Sequence, residues 1–365
     1  MRYETVTEGE TMLKVPVADK LTKKNEVFYN PVMELDRDIT CAFLKTVKPA
    51  DYLDLLAACG ARGVRAIVEA GCQATLNDLN PMASKLIKGN LALNGVEGEV
   101  TGLDARCIPS PRRYDIVDVD PFGPPVEFMD SCLKHVRNKG HIAVTATDTS
   151  ALCGSYPNAC RRKYDAVPLR TGYYNELGLR ILTGFIARSA LRHGYGITVK
   201  FAHNSRHFMR VIAQVDGRGG AVRDTLKSLK YITHCHKCLE RGYILLGDDH
   251  SCDCAGNVSV AGRLWSEMLA DKKTCDAMIT QIMENPFNCR KDAVRICELV
   301  KGEQDTRKPY YDLHKLASKL KVCVPRQDDV MNGLRDAGFK VSRTHYNPRG
   351  LKTDASVKDI GRLLE

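Results

Sequence analysis

Between Tyr52 and Thr147 short apolar runs alternate with stretches of helical pattern, and few folds accommodate that alternation. Tyr52–Ala57, Ala74–Asn77, Val100–Leu103, Asp115–Val119 and His141–Thr147 read as strands. Gly63–Ala70 and Pro81–Asn94 read as helices, the second with proline near its start and Asn94-Gly95 as a stop. Parallel strands need a crossover, and a helix supplies one, so the pattern predicts a parallel sheet with helices on both faces. Leu177–Arg192 reads as a long helix, and Thr198–His203 with Met209–Val215 as a closing pair of strands. Upstream, residues 1–50 read as an extension with polar turns, the segment Phe28-Tyr29-Asn30-Pro31, and a helix from about Val32 to Thr46.

The character changes after about Val222. Cysteines cluster between Tyr231 and Cys254, and beyond Trp265 the pattern is mostly helical: Thr274–Glu284, Lys291–Lys301, Tyr311–Leu320 and Asp328–Gly338, with Phe339–His345 as a strand or wing. The expected division is therefore 1–225, 226–266 and 267–365. A chain of 365 residues is too long for one core. The opening MRYETVTEGETMLKVP has no apolar signal core, and no stretch approaches ~18–20 apolar residues. Secretion and membrane spanning are not expected, and a cytoplasmic location is. The formal net charge of +10 suits a polyanionic partner, although solubility alone would also explain it. Most of the 15 cysteines lie singly in apolar stretches, as buried free thiols do.

The first strand turns into the first helix through Asp54-Leu55-Leu56-Ala57-Ala58-Cys59-Gly60-Ala61-Arg62-Gly63. Glycines there let a ligand approach the backbone. Asp78 ends the second strand, where a carboxylate can meet ribose hydroxyls, and Asp104 ends the third before Ala105. Strand-end aspartates are common turn residues, but ligands of such sheets bind outside the carboxyl ends of the strands, where these acids converge. A dinucleotide loop reads G-x-G-x-x-G; here Ala58 takes the first glycine position and only Gly60 and Gly63 remain. S-adenosylmethionine, which has no phosphate, is favoured over NAD.

The fourth strand runs into Asp120-Pro121-Phe122-Gly123. The exocyclic amine of a base is a poor nucleophile because its lone pair is delocalised. A carboxylate that accepts an amine hydrogen pulls the nitrogen towards tetrahedral geometry and can take its proton. Proline fixes the loop and the aromatic ring can stack on the base. A strand-ending turn with a core phenylalanine is the plainer alternative. Asp115 and Asp118, which alternate along the strand, read as structural.

Taken together these motifs resemble the tRNA (guanine-26-N2)-dimethyltransferase family, in its compact archaeal form. Glu8-Gly9, Phe28-Tyr29-Asn30-Pro31, Arg37-Asp38, the Gly60 loop, Asn77-Asp78-Leu79-Asn80-Pro81 and Asp120-Pro121-Phe122-Gly123 resemble family blocks. So do Thr145-Ala146-Thr147-Asp148, Leu152-Cys153-Gly154, Cys160-Arg161-Arg162-Lys163-Tyr164, Arg343-Thr344-His345-Tyr346 and Lys352-Thr353-Asp354. The resemblance implies an α/β fold: a Rossmann-like class I methyltransferase sheet with a smaller, mostly helical C-terminal domain. It implies that Arg37 and Arg62 contact or bracket the cofactor's methionine end, and that Gly60 and Gly63 shape its loop. Asp78 would hold the ribose with Leu79 flanking the adenine, and Asp104 with Ala105 would read the adenine edge. Asp120 would serve guanine N2 and Phe122 would line the base pocket. Transfer of two methyl groups to one nitrogen is implied by the resemblance alone.

Cys235-His236-Lys237-Cys238 and Cys252-Asp253-Cys254 suit a tetrahedral zinc held by Cys235, Cys238, Cys252 and Cys254. The family often carries two C-x-x-C pairs; here the second is C-x-C, with Cys252 displaced by one. His234, His236 or His250 could replace one thiolate, and a metal-free vestigial loop is the alternative. In the last third Arg343, His345, Tyr346 and Lys352, with Arg349, mix cations and aromatics as a tRNA grip would. A solvated basic face is the competing reading for each residue singly. No obligate protein partner is implied. The competing functions are methylation of adenine N6 or of an amide, whose sites usually read N/D-P-P-Y/F, and a non-catalytic tRNA-binding protein on a relic fold.

Overall fold

The computed structural model describes residues 2–17, 26–109, 111–205 and 207–364; residues 18–25 of the expected N-terminal extension lie outside these. In chain order the elements are β1 (Arg2–Glu8), β2 (Thr11–Val17), α1 (Glu34–Val47), β3 (Asp51–Asp54), α2 (Ala61–Ala70), β4 (Gln73–Asn77), α3 (Pro81–Leu93) and β5 (Glu99–Thr101). Then come β6 (Tyr114–Val119), α4 (Met129–His135), β7 (Val136–Ala146), α5 (Thr149–Leu152), α6 (Pro157–Tyr164), α7 (Tyr174–Arg192), β8 (Gly196–Ser205), β9 (Phe208–Asp216) and α8 (Gly219–Lys227). The chain continues as β10 (Leu229–Cys235), β11 (Arg241–Ile244), β12 (Val258–Trp265), α9 (Lys272–Glu284), α10 (Arg290–Gly302) and β13 (Tyr311–Asp312). It ends with α11 (Leu313–Leu320), α12 (Gln327–Asp336), β14 (Val341–Arg343), β15 (Gly350–Thr353) and α13 (Val357–Arg362).

Two compact units are present. The first comprises Met1–Ala146, Ile212–Gly217 and Lys272–Glu298. Its sheet runs β5-β4-β3-β6-β7, all parallel, and then meets the second half of β9. Ile116, Val117 and Val119 of β6 are all buried, as a central strand covered on both faces requires. Strand order reverses between β3 and β6, so a crevice opens at their carboxyl ends. Asn80 caps α3 by accepting the Met82 N–H, with Pro81 at the first helical position. The expected polar extension is instead a β1–β2 hairpin, turned at Gly9 with φ +56°.

The second unit comprises Thr147–Val211, Arg218–Asp271 and Leu299–Glu365. It holds β8, the first half of β9, the antiparallel sheet β11-β10-β12, and a small sheet β13-β15-β14. Around the small sheet α11, α12 and α13 share a core of Tyr311, Leu316, Leu334, Leu351 and Ile360. Where the sequence predicts one helix from Tyr311, the first two residues pair with β15 and Asp312 caps α11 by accepting the Lys315 N–H. The linear division expected near residues 225 and 266 differs from this one, because Lys272–Glu298 packs into the first unit: Asn288 donates to the Thr7 carbonyl and to Glu34, and Asp38 accepts the Cys289 N–H.

Three of the four residues expected to grip tRNA are interior, which corrects that expectation. Lys352 is 2% exposed and donates to Glu176, which also takes Arg180 at 2.8 Å. His345 donates from Nδ1 to Glu303 and accepts the Asn204 N–H, a pattern that places its proton on Nδ1. Tyr346 is buried, its ring stacked on Tyr310 at 5.7 Å. Only Arg343 is exposed, and Asp328 and Gln327 occupy its guanidinium. Their basic and aromatic chemistry serves the interior because buried Glu176 and Glu303 need partners. Burial works against the charge on Glu176, yet Lys352 and Arg180 hold its carboxyl below the usual range. Glu176→Gln, which strands two buried cations, is expected to cost about 3–5 kcal/mol in urea unfolding. Lys352→Met should cost less, since Glu176 keeps Arg180; the reverse order would refute this account of the triad.

Candidate active site

The turn after β3 is shaped by packing. Gly60 has φ +81°, and a Cβ there would meet Ile87 at 3.1 Å. A Cβ on Gly63 would lie 2.5 Å from Leu76, so only glycine lets α2 approach β4 this closely. The amides of both glycines are already used, by the Ala57 carbonyl and by Asp54. Ala58, which is not glycine, sits at φ +49°, and its N–H donates to Asp78 at 2.8 Å. A non-glycine residue there costs on the order of 1–2 kcal/mol, so the carboxylate fixes a strained loop. Asp78 also accepts the Asn80 N–H at 2.9 Å. A carboxylate has about four acceptor positions, and the other two remain for a ligand. Asn77, buried one residue earlier, uses its full hydrogen-bonding capacity on Leu55, Thr101 and Leu103, and so locks the carboxyl ends of β3, β4 and β5 together.

Beyond these ends the rim is apolar and open. Leu79 is 63% exposed and Phe122 45%, with Met82 and Leu103 beside them in the exposed set. Such surfaces following successive strands mark a place that something else covers. Asp104 is gripped by Arg106, whose hydrogen bonds hold its carboxyl down at about 2, and Ala105 is buried. Gly123 has φ +121°, which gives Asp120-Pro121-Phe122-Gly123 its turn. Phe122 meets the edge of Phe28 at 4.7 Å.

Behind Asp120 stands Arg62, 6% exposed. Its guanidinium donates to Asp36 at 2.8 Å, to Asp120 at 2.5 Å and to the Thr40 hydroxyl at 2.9 Å, and Asp118 lies 3.9 Å from Nε. Burial alone would lower the Arg62 pKa; the carboxylates of Asp120, Asp118 and Asp36 drive it well up instead. Arg37 is likewise committed, through two bonds to Glu8 and one to the Asn30 carbonyl, so neither guanidinium is idle. Asp118, which the sequence presents as structural, is buried, accepts the Tyr52 hydroxyl and borders this cluster. Asp115 does lie at the amino end of β6, tying Ala50, Asp51 and Arg137. Two residues beside the site escape the sequence reading: Phe28, whose only signal is the resemblance of the Phe28-Tyr29-Asn30-Pro31 block, and Asp36, which has none.

Asp54 faces Asp118 across the β3–β6 register. Burial, and then the Asp118 charge, push its carboxyl up to about 7. Four carboxylates thus share one arginine, an environment that favours a cationic ligand and repels a pyrophosphate. That charge balance supports S-adenosylmethionine, whose reacting sulfur is a cation, over NAD.

In the second unit the four cysteine sulfurs lie within 4.8 Å of one another. Cys235–Cys254 and Cys252–Cys254 are 3.4 Å apart and Cys238–Cys252 3.5 Å. Sulfurs at about 2.3 Å from a tetrahedral zinc stand roughly 3.8 Å apart, so the set fits after a small expansion. A Cβ on Gly256 would lie 2.7 Å from the Cys235 sulfur and 3.0 Å from that of Cys254, so glycine keeps the cradle open. The C-x-C pair therefore brings its two sulfurs within reach of the same ion as Cys235 and Cys238. No histidine joins the cluster among the described residues: His236 bonds Ser259, and His234 is buried between the Tyr173 and His236 rings.

Sheet order, acid-ended strands and the Asp120 turn define a class I methyltransferase. Residues 9–365 match the N2,N2-dimethylguanosine tRNA methyltransferase family, and the chain belongs to it. It is 37% identical to the tRNA (guanine(26)-N(2))-dimethyltransferase of Methanothermobacter thermautotrophicus, covering 99% of this chain and 98% of that one. The Methanopyrus kandleri enzyme of the same name is 38% identical, over 100% and 97%. The solved complex of Trm1 from Pyrococcus horikoshii with S-adenosyl-L-methionine superposes with a TM-score of 0.91 at 31% identity, over 99% and 100%.

Asp54 and the cysteine cluster each yield an expectation. With a folded-state pKa near 7 against an ordinary 3.8, Asp54 makes the folded protein take up a proton between those values. Its contribution therefore lowers stability as pH rises through that window, by at most ~1.4 kcal/mol per pH unit, and levels off above it. Unfolding curves from pH 5 to 8 should show this slope as the difference between the parent and Asp54→Asn; parallel curves would refute it. Purified reduced protein is expected to carry about one zinc per chain, and Cys235→Ser to lower zinc content and melting temperature together. Zinc-free protein of unchanged stability would make the cluster vestigial.

Proposed function

We propose that the chain transfers methyl groups from S-adenosyl-L-methionine to the exocyclic N2 of guanine 26 in tRNA, twice in succession. One observation carries the reading: Asp120 is held at 2.5 Å by buried Arg62, next to an exposed Phe122. The names of the Methanothermobacter and Methanopyrus relatives, and the ligand in the Pyrococcus Trm1 complex, point the same way. When bound, S-adenosyl-L-methionine supplies an electrophilic methyl on a sulfonium and departs as the neutral thioether.

The remaining work falls to the chain. Asp78, with its two free acceptor positions, takes the ribose hydroxyls, and exposed Leu79 covers one face of the adenine. Asp104 and Ala105 meet the adenine edge, Asp104 sharing its oxygens with Arg106. Phe122, propped by Phe28, stacks on the guanine. One Asp120 oxygen is committed to Arg62, and the other accepts an N2 hydrogen. As the N–C bond forms and the S–C bond breaks, N2 sheds one proton for each methyl moved and Asp120 takes it. Phe122 and Gly123 stand where adenine-N6 and amide methyltransferases usually carry a second proline and an aromatic, which disfavours those substrates. The intact Asp120 cluster disfavours a relic binding protein. Among the described residues no helix is long and apolar enough to cross a membrane. We place the activity in the cytoplasm, where a four-thiol metal site stays reduced.

Single-turnover methyl transfer with saturating tRNA and labelled cofactor tests the assignment. Asp120→Ala should be nearly inactive and Asp120→Asn slower by about 10²-fold or more, both with cofactor binding retained. Turnover of Asp120→Ala within a few-fold of the parent would move the proton acceptor elsewhere. Nucleoside mass spectrometry of the product reports the site and the number of methyls.

A further inference from the structure

Within the second unit the cations that line grooves differ in how far they are already neutralised. One groove, of about 570 Å³, is lined by Arg241, Arg307, Lys308 and Lys340 together with the acids Asp305 and Asp354. Arg307 pairs with Glu267 at 2.7 Å, Lys308 with Glu240 at 2.8 Å, and Arg241 is spent on the Tyr310 and Leu239 carbonyls. Arg343 is neutralised by Asp328. α12 is acidic in its first turn, with Asp328 and Asp329, and Asp336 ends it. Neither place attracts a polyanion.

A second groove differs. It has a volume of about 450 Å³ and is lined by Asp312, His314, Lys315, Ser318, Lys319 and Arg349. Lys315, Lys319 and Arg349 are exposed, and none has a carboxylate partner among the described residues. The lining acid, Asp312, is already committed to the α11 cap and to the Asn347 amide. The three cations come from one face of α11 and from the loop before β15, so they line one trough. The Lys315 stem lies over Gly172, where a Cβ would sit 3.3 Å from it, so this groove borders the Gly172 loop.

Gly172 joins this groove to another. Two residues earlier Arg170 is exposed, and among the described residues its one hydrogen bond is at 3.4 Å to the Ser155 hydroxyl. It lines a polar cavity of about 210 Å³ together with Thr149, Ser150, Tyr174, Asn175 and Asn204. Thr149 and Ser150 open α5, and Asn204 lies near the carboxyl end of β8, so the cavity is walled by the ends of two elements of the second unit. Hydroxyls and amides beside an arginine suit phosphate and sugar oxygens, and exposed Tyr174 offers a face for a base.

We propose that Arg170, Lys315, Lys319 and Arg349 form the track along which the tRNA phosphate backbone lies, with the Thr149–Asn204 cavity taking one nucleotide of it. This rests on the reading of tRNA as substrate. It places the docking surface on α11 and the Gly172 loop, away from α12 and β14. Phosphate contacts of this kind fix register and orientation and are felt in binding more than in turnover.

The test is binding of an unmodified tRNA transcript across a range of salt, with cofactor affinity measured in parallel. Lys315→Gln/Lys319→Gln should raise the Kd about tenfold near physiological salt and flatten the salt slope by about one to two. Arg170→Gln should do likewise by a smaller step. Lys315→Arg/Lys319→Arg should retain parental affinity and slope. In each variant cofactor affinity, and single-turnover rate at saturating tRNA, should stay within a few-fold. Parental binding and slope in the glutamine variants would overturn the track, as would an equal loss in the arginine pair. Loss of tRNA affinity in Arg343→Ala with normal binding in Lys315→Gln/Lys319→Gln would return the surface to β14 and overturn it too. If the parent itself neither binds tRNA nor methylates guanine N2, the substrate assignment fails, an outcome that no surface variant can imitate.

Discussion

The first unit is organised around one buried guanidinium. Arg62 is the common partner of Asp36 on α1, Asp118 on β6 and Asp120 just beyond it. Like charges about 4 Å apart repel by on the order of 4 kcal/mol at an effective dielectric of 20, so these acids cannot converge without it. Arg62 thereby joins a helix, a strand and the Asp120 loop, and it holds one Asp120 oxygen inward. The excess of acid over base also gives the crevice its charge preference. Structural necessity and the charge preference of the crevice share one side chain here.

A parallel cluster lies beneath it. Glu8 of the N-terminal hairpin takes Arg37 and Arg65, and Arg65 reaches Asp38 and Glu69. Through Glu8 and the Tyr29 hydroxyl the first residues of the chain hold the Phe28 segment against Phe122. Phe122 is thus set from outside the sheet, while Asp120 is set from within it.

The strands and crossovers were legible because a doubly covered sheet imposes short apolar runs, and the strand-end acids because turns there follow a fixed order. Asp78, Asp120 and the four cysteines are brought to positions where the expected chemistry is geometrically open. Asp36 and Phe28 carried no such mark: an acid on a helix and an aromatic in a loop look like solvent-facing residues until α1 is laid on the sheet. The error at His345, Tyr346 and Lys352 has the same origin with the opposite sign. A basic and aromatic string reads identically whether it faces phosphate or a buried carboxylate, and the partner of Lys352, Glu176, is remote in sequence. The hairpin was missed because Glu8-Gly9-Glu10 and the threonines around it resemble an unstructured polar segment, whereas the pairing from Arg2 to Val17 is continuous.

The return of Lys272–Glu298 to the first unit has a consequence for synthesis on the ribosome. The parallel sheet and its ligand loops are complete once residue 217 has emerged, yet α1 and the hairpin still wait for Phe287, Asn288 and Cys289. Meanwhile the segments of the second unit that leave the ribosome between these two points must be set aside or folded. A nascent chain stalled anywhere in that interval presents an uncovered helix flank to its surroundings, and that is the window in which a chaperone would find it.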